Sequence, residues 1–183
     1  MQPGATSARG GDRFNGFGET LMVKARASIL IERSVQTVYT FVVDDFARNY
    51  QRWSPEVQRL EILTPGPLRV GTRARQVRVD QGRRTETTFL VKVLDRPRRV
   101  CFAETRDQFR IDYFVEALGD KAQGFTTRLT FGFELTRIDL YMRPFEKLIR
   151  AAVQEGATRT VGNIKRLVEA EVPAGVTPQA PSR

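Results

Sequence analysis

Residues 137–170 read RIDLYMRPFEKLIRAAVQEGATRTVGNIKRLVEA, the longest helical pattern in a chain of 183 residues. Tyr141, Phe145, Leu148, Ile149, Ala152, Gly156, Thr160, Ile164 and Leu167 recur there at steps of three and four, which predicts one buried stripe. Arg143, Glu146, Lys147, Arg150, Arg159, Lys165, Arg166 and Glu169 fall mostly elsewhere on the helical wheel, as a solvated face requires. A helix over the whole stretch is about 50 Å long, enough to lie across a sheet. Its middle carries small residues, Ala152, Gly156, Ala157 and Thr160, with Gly162 beyond. A glycine inside a helix costs about 1 kcal/mol relative to alanine. Two of them point to close packing on a strand or to space kept for a ligand.

Almost everything before this stretch reads as strands. Ala25, Ala27, Ile29 and Ile31 alternate with Lys24, Arg26, Ser28 and Glu32, a strand with one buried face. Ser34 offers an N-cap to a short helix through Val35, Val38, Tyr39 and Val42. Asp44 or Asp45 offers one to a second helix through Phe46, Tyr50 and Trp53, which Pro55 ends. Strand patterns follow over 57–63, 70–79, 85–94, 99–105, from Phe109 through Val115, and over 125–135. The turns between them are Pro65-Gly66-Pro67, Asp80-Gln81-Gly82-Arg83, Arg96-Pro97-Arg98 and Gly119-Asp120-Lys121. Six strands without intervening helices predict an antiparallel meander. The fold class is therefore α+β, in the order β-α-α-β6-α, with a curved seven-stranded antiparallel sheet wrapped around the C-terminal helix. A curved sheet and a straight helix meet imperfectly, and the cavity left between them is where function is expected. Residues 1–20 and 171–183, rich in Gly, Ser and Pro and without a period, are expected as flexible tails around one domain at 21–170.

Composition narrows the chemistry. The chain has no histidine, which excludes Ser-His-Asp and Cys-His catalysis and removes the commonest metal ligand. Its one cysteine, Cys101, excludes an internal disulfide and sits in the apolar run Val100–Ala103 as a packed thiol. No metal site and no cofactor is expected. The net charge is +9, and residues 21–170 carry the excess. No apolar run approaches the roughly 20 residues of a membrane span, and residues 1–20 lack the apolar core of a secretory signal. The expectation is a cytoplasmic protein; its oligomeric state is left open.

Three segments give the chain a resemblance: ASILIERSVQTVYTFVVDDFARNYQRWSPEV at 27–57, GPLRVGTRARQV at 66–77 and LVKVLDRPRRVCF at 90–102. With the closing amphipathic helix, they resemble the START-like (SRPBCC) superfamily of Bet v 1-like helix-grip folds. Within it, they are similar to the polyketide cyclase/dehydrase and lipid-transport group. The resemblance covers about residues 22–170 and rests on element order, since the family lacks an invariant catalytic signature. It implies a hydrophobic cavity. Members include cyclases, carriers, quinone-binding proteins and toxin-like ribosome binders.

In this fold the connection after the second helix lies near the cavity mouth, so Trp53, the only tryptophan, either stacks on a flat ligand or plugs the core. Phe89, Phe102, Tyr113 and Phe131 on the strands, and Tyr141, Phe145, Ile149 and Gly156 on the helix, are the further candidates for ligand contact. Glu104 shares parity with Val100 and Phe102, which directs it to the apolar face; it, Tyr113 and Arg75 are the candidates for proton transfer. The alternative for Glu104 is a pairing with Arg106 or Arg110. The expected ligand is a hydrophobic or amphipathic small molecule: a lipid, an isoprenoid or quinone, or an aromatic polyketide. A cyclase or dehydratase acting in the same cavity, and a basic toxin-like or ribosome-binding module, are the alternatives. Arg69, Arg73, Arg75, Arg78, Arg83, Arg84, Arg96, Arg98 and Arg99 crowd two turns. They read as a solvated face, or as a patch for an anionic membrane surface or another polyanion. Aromatics do not alternate with them, which speaks against sequence-specific nucleic-acid reading.

Overall fold

The computed structural model describes residues 21–80, 82–118, 126–138 and 140–173. Strand β1 (Leu21–Ile31) leads into helix α1 (Val35–Tyr39), a π turn (Thr40–Asp44) and helix α2 (Phe46–Trp53). Strands β2 (Val57–Ile62), β3 (Arg73–Asp80), β4 (Arg83–Asp95), β5 (Arg99–Glu104), β6 (Phe109–Leu118) and β7 (Thr126–Ile138) follow. A 3-10 turn (Leu140–Phe145) leads into helix α3 (Glu146–Glu171). The seven strands form one sheet in the order β1-β7-β6-β5-β4-β3-β2, antiparallel throughout. Helices α1 and α2 carry the chain from one sheet edge, β1, to the other, β2. The helix-grip architecture expected from the element order is the one observed.

Local chemistry accounts for most boundaries. Ser34 Oγ accepts the Thr37 amide at 3.1 Å and opens α1. Asp45 occupies the N-cap position of α2 but makes no side-chain cap bond. Its neighbour Asp44 is drawn away to Arg96 and Thr40, and Asp45 itself to Arg48. Asp80 and Arg83 pair across the β3–β4 hairpin, where Gly82 takes φ +82°, a conformation L side chains avoid.

The long helix differs from its sequence pattern in two ways. Arg137 and Ile138 extend β7, and α3 begins only at Glu146, which leaves 26 residues or about 39 Å. Pro144 lacks an amide hydrogen and lies in the preceding 3-10 turn. The buried stripe is also rotated by about one residue: Ala157, Val161, Ile164 and Val168 are buried, while Leu148 is 67% exposed. The rotation follows from where the helix docks. It runs along the free edge of β1 and bonds to it, with Gln154 Nε2 donating to the Arg26 carbonyl at 3.0 Å and Lys165 Nζ to the Leu30 carbonyl at 2.8 Å. The Glu32 amide donates to Glu169 Oε1 at 3.0 Å. An edge that would otherwise present unpaired backbone groups is thereby closed by side chains. The core lies on the inner sheet face, between Val23, Ile31, Leu129, Tyr113, Phe102 and Val100 and the helices. The expected tails at 1–20 and, from residue 174, the C-terminal end lie outside the described residues.

Candidate functional site

The inner sheet face and α2 together make an aromatic chamber. Period-two alternation places Phe89, Phe102, Tyr113 and Phe131 on that face, and helical spacing aligns Phe46, Tyr50 and Trp53 against them. Phe46 stacks on Tyr50 and on Phe102, both at 4.7 Å between ring centroids. Trp53 meets Tyr113 edge-on at 6.3 Å, and Tyr113 meets Phe131 at 5.2 Å. The space enclosed by Phe46, Tyr50, Phe89, Phe102, Ile111 and Tyr113 is only about 10 Å³. That is at the lower limit for a single water molecule, so the rings themselves fill the chamber.

Toward the N-terminal half of α3 the packing opens. Phe109, Ile111 and Phe133 are half-buried on the inner face, with Phe109 and Phe133 stacked at 5.9 Å. Above them, α3 buries nothing fully before Ala157, and a Cβ built on Gly156 meets no atom within 4 Å. Phe145 is 50% exposed. Half-buried Ile111, Phe133 and Val153 thus border the core on this side, below an exposed start of α3.

Few polar groups reach the chamber. Tyr50 Oη donates to Gln76 Oε1 at 3.0 Å, and Gln76 Nε2 donates to Thr87 Oγ1 at 3.1 Å. Burial pushes the Tyr50 and Tyr113 phenols well above their ordinary range, with Arg78 opposing the shift on Tyr50. Both phenols are therefore hydrogen-bond donors at neutral pH. Trp53 Nε1 is buried beside the Tyr113 phenol, whose upward shift it opposes, and Tyr39 Oη is buried without a hydrogen-bond partner. Burial pushes Tyr39 up to about 12, against the Arg96 guanidinium 5.6 Å from its ring. Among the described residues no group of three or more Cys, Asp or Glu is placed to hold a metal ion.

The family model for polyketide cyclase / dehydrase and lipid transport matches residues 22–169, β1 to the end of α3. The chain belongs to that family. Solved structures share its fold at low identity. A Zhui aromatase/cyclase from Streptomyces sp. R1128 is 14% identical with a TM-score of 0.66, over 81% of this chain and 94% of that one. A START superfamily protein from Mycobacterium smegmatis is 16% identical with a TM-score of 0.64, over 81% and 99%. A norcoclaurine synthase from Thalictrum flavum is 15% identical with a TM-score of 0.63, over 84% and 97%. No curated protein sequence matches the chain.

In this cyclase/dehydrase and lipid-transport family member, the residues singled out from sequence separate into groups. Trp53, Phe89, Phe102, Tyr113 and Phe131 come together in the chamber. Phe145, Ile149 and Gly156 stand at its open side, exposed or half-buried. Tyr141 falls in the 3-10 turn, and its side chain lies outside the described residues. The three proton-transfer candidates do not converge. Glu104 is buried, but its carboxylate accepts the Arg106 amide at 2.7 Å and the Gln108 amide at 3.3 Å, tying it to the β5–β6 turn. Arg75 lies on the outer sheet face, paired with Glu61 at 2.7 Å and Glu86 at 3.6 Å. Tyr113 alone reaches the chamber. Gln76 escaped the sequence reading because it stands among arginines; its parity with Ala74, buried at 3%, is the signal that places it inward. Of the nine arginines of the two turns, four pair with carboxylates among the described residues: Arg75 with Glu61 and Glu86, Arg78 with Asp80, Arg96 with Asp44 and Arg99 with Asp112.

Proposed function

We propose that the chain binds a hydrophobic or amphipathic small molecule between the inner sheet face and α3, admitted beside the N-terminal half of that helix. The observation that carries this reading is the aromatic chamber itself, with half-buried Ile111, Phe133 and Val153 and open space at Gly156 on its α3 side. Membership of a cyclase/dehydrase and lipid-transport family supports it. The chamber is closed by its own rings at about 10 Å³, so uptake displaces aromatic side chains rather than filling a void. Flat ligands, a quinone or an aromatic polyketide, suit a space lined by stacked rings.

Trp53 supplies the test, as the only tryptophan and a member of the chamber. Titration with menadione, a fatty acid and an aromatic polyketide is expected to change Trp53 fluorescence saturably for at least one of them. Native mass spectrometry of the protein, before and after organic extraction, reads the same occupancy. A protein that carries nothing and answers to none of the three sinks the proposal.

A second reading, catalysis of a cyclase or dehydratase type, is favoured by one arrangement: the Tyr50–Gln76–Thr87 chain that borders the chamber. Tyr113, held protonated, and Tyr50, once its hydroxyl turns away from Gln76 Oε1, would donate to a substrate carbonyl and stabilise the enolate that cyclisation needs. Turnover of a polyketide-like substrate that vanishes in Tyr50→Phe with binding retained would favour it over binding alone.

A further inference from the structure

A second opening among the described residues lies outside the chamber. A groove of about 910 Å³ lies mainly on the opposite, outer face of the sheet and reaches Val35 and Val115, which also border the core. Register puts Ser28 of β1 beside Thr130 of β7, and Thr130 beside Phe114 of β6, so the three side chains share that face. Ala25 and Tyr113, one residue away from outer-face positions, point into the core. At one end the groove is closed by apolar groups, Val35 and Pro97, with Arg98 beside them.

Its polar groups are arranged for an anion. Arg26 lies over the Phe114 ring at 5.6 Å, which holds its guanidinium against the sheet. On the same ring, at 4.9 Å, lies Arg99, but Asp112 neutralises it at 2.7 Å. Arg128 is likewise neutralised by Glu116 at 3.0 Å. Neither Arg26 nor Arg98 pairs with a carboxylate among the described residues. Ser28 Oγ and Thr130 Oγ1 are 2.8 Å apart; one hydroxyl proton joins them and the other is left to donate. A guanidinium held in place, with a hydroxyl nearby and no acid of its own, is a receptor for a carboxylate. The apolar end at Val35 and Pro97 suits a hydrocarbon body, and the volume is that of a small-molecule site. With Arg99 and Arg128 taken by Asp112 and Glu116, Arg26 and Arg98 are the groove cations left for the ligand's charge among the described residues.

We infer that this outer groove is a second ligand site, for a singly charged carboxylate on an apolar body, with Arg26 and Arg98 as its anion contacts. It stands on the opposite side of the sheet and does not depend on what the chamber holds. Amide NMR with octanoate, octanol and octyl phosphate tests it. Octanoate is expected to move the amides of Ser28, Phe114 and Thr130 saturably, and octanol to leave them in place. Arg26→Gln and Arg98→Gln are each expected to weaken that binding by about tenfold, the loss of one charge-assisted contact. Both arginines are exposed, and a retained amide spectrum shows that the variants are folded. Octyl phosphate, mostly dianionic near neutral pH, is expected to bind no tighter than octanoate. The site is overturned if octanoate leaves these amides unmoved, if octanol moves them equally, or if both variants bind octanoate as well as the parent. Tenfold tighter binding of octyl phosphate overturns the head-group assignment.

Discussion

At the scale of single residues, burial decides what each group can do. Cys101 is 2% exposed, and burial, helped by the nearby Asp112 carboxylate, pushes its thiol from 9.0 up to about 11. The neutral thiol predominates at pH 8, so Ellman's reagent is expected to label Cys101 only after denaturation. Because the folded value is raised, the thiol's contribution to stability is complete below pH 9.0 and is lost as pH rises to about 11. Cys101→Ala is expected to lack that part of the alkaline slope in urea titrations. Glu104 follows a different logic. Removing a carboxylate that serves two turn amides leaves those donors unmet, so Glu104→Ala is expected to cost about 2 kcal/mol in chemical denaturation. Ligand response at Trp53 should persist in that variant; its loss would return Glu104 to the binding site. The parity that directs Glu104 inward is legible in sequence. The turn amides that capture its carboxylate are not, because they meet it only when β5 and β6 form their hairpin.

At the scale of elements, α3 has two halves with different duties. The C-terminal half anchors: Ile164 is fully buried, and Ile164→Ala is expected to cost about 3 kcal/mol, read as a lowered denaturation midpoint. The same half is pinned through Glu169. Desolvation works to raise that carboxyl, but Lys165, the Glu32 amide and Arg33 outweigh it and hold it below its ordinary value. Its contribution is therefore present above pH 4.5 and lost as pH falls through the lowered folded value. The N-terminal half is open. A methyl at Gly156 meets no atom within 4 Å, so Gly156→Ala is expected to stabilise the protein by roughly 0.5–1 kcal/mol through helix propensity. Gly156→Leu is expected to stay folded and lose ligand response at Trp53; a folded variant with full response would make this half of α3 a mere cover. The three-and-four spacing of α3 is plain in sequence, yet the face it buries is shifted by about one residue. Several apolar faces overlap on this helix, and only docking on β1 selects Ala157, Val161, Ile164 and Val168.

At the scale of the whole molecule, ligand binding should appear as stability. Occupancy at about 100 times the dissociation constant adds about 2.7 kcal/mol and raises the thermal midpoint; a midpoint unmoved by every ligand that changes Trp53 fluorescence would mean surface quenching only. Four of the nine arginines crowded at 69–99 pair with carboxylates among the described residues, and the net charge of +9 resides on the cations left over. No helix among the described residues is long and apolar enough to cross a membrane. By itself the sequence determined the order β-α-α-β6-α, the strands to within about three residues at their ends, and which strand aromatics face inward, because these follow from local periods of 2 and 3.6 and from turn residues that act within a few positions. Only the tertiary structure decided how much room the rings leave, that Arg75 and Glu104 are taken by other partners, and that a second opening lies outside the chamber. Those depend on partners that meet only when strands pair and layers pack, and volume left over between packed surfaces has no periodic signature in a chain.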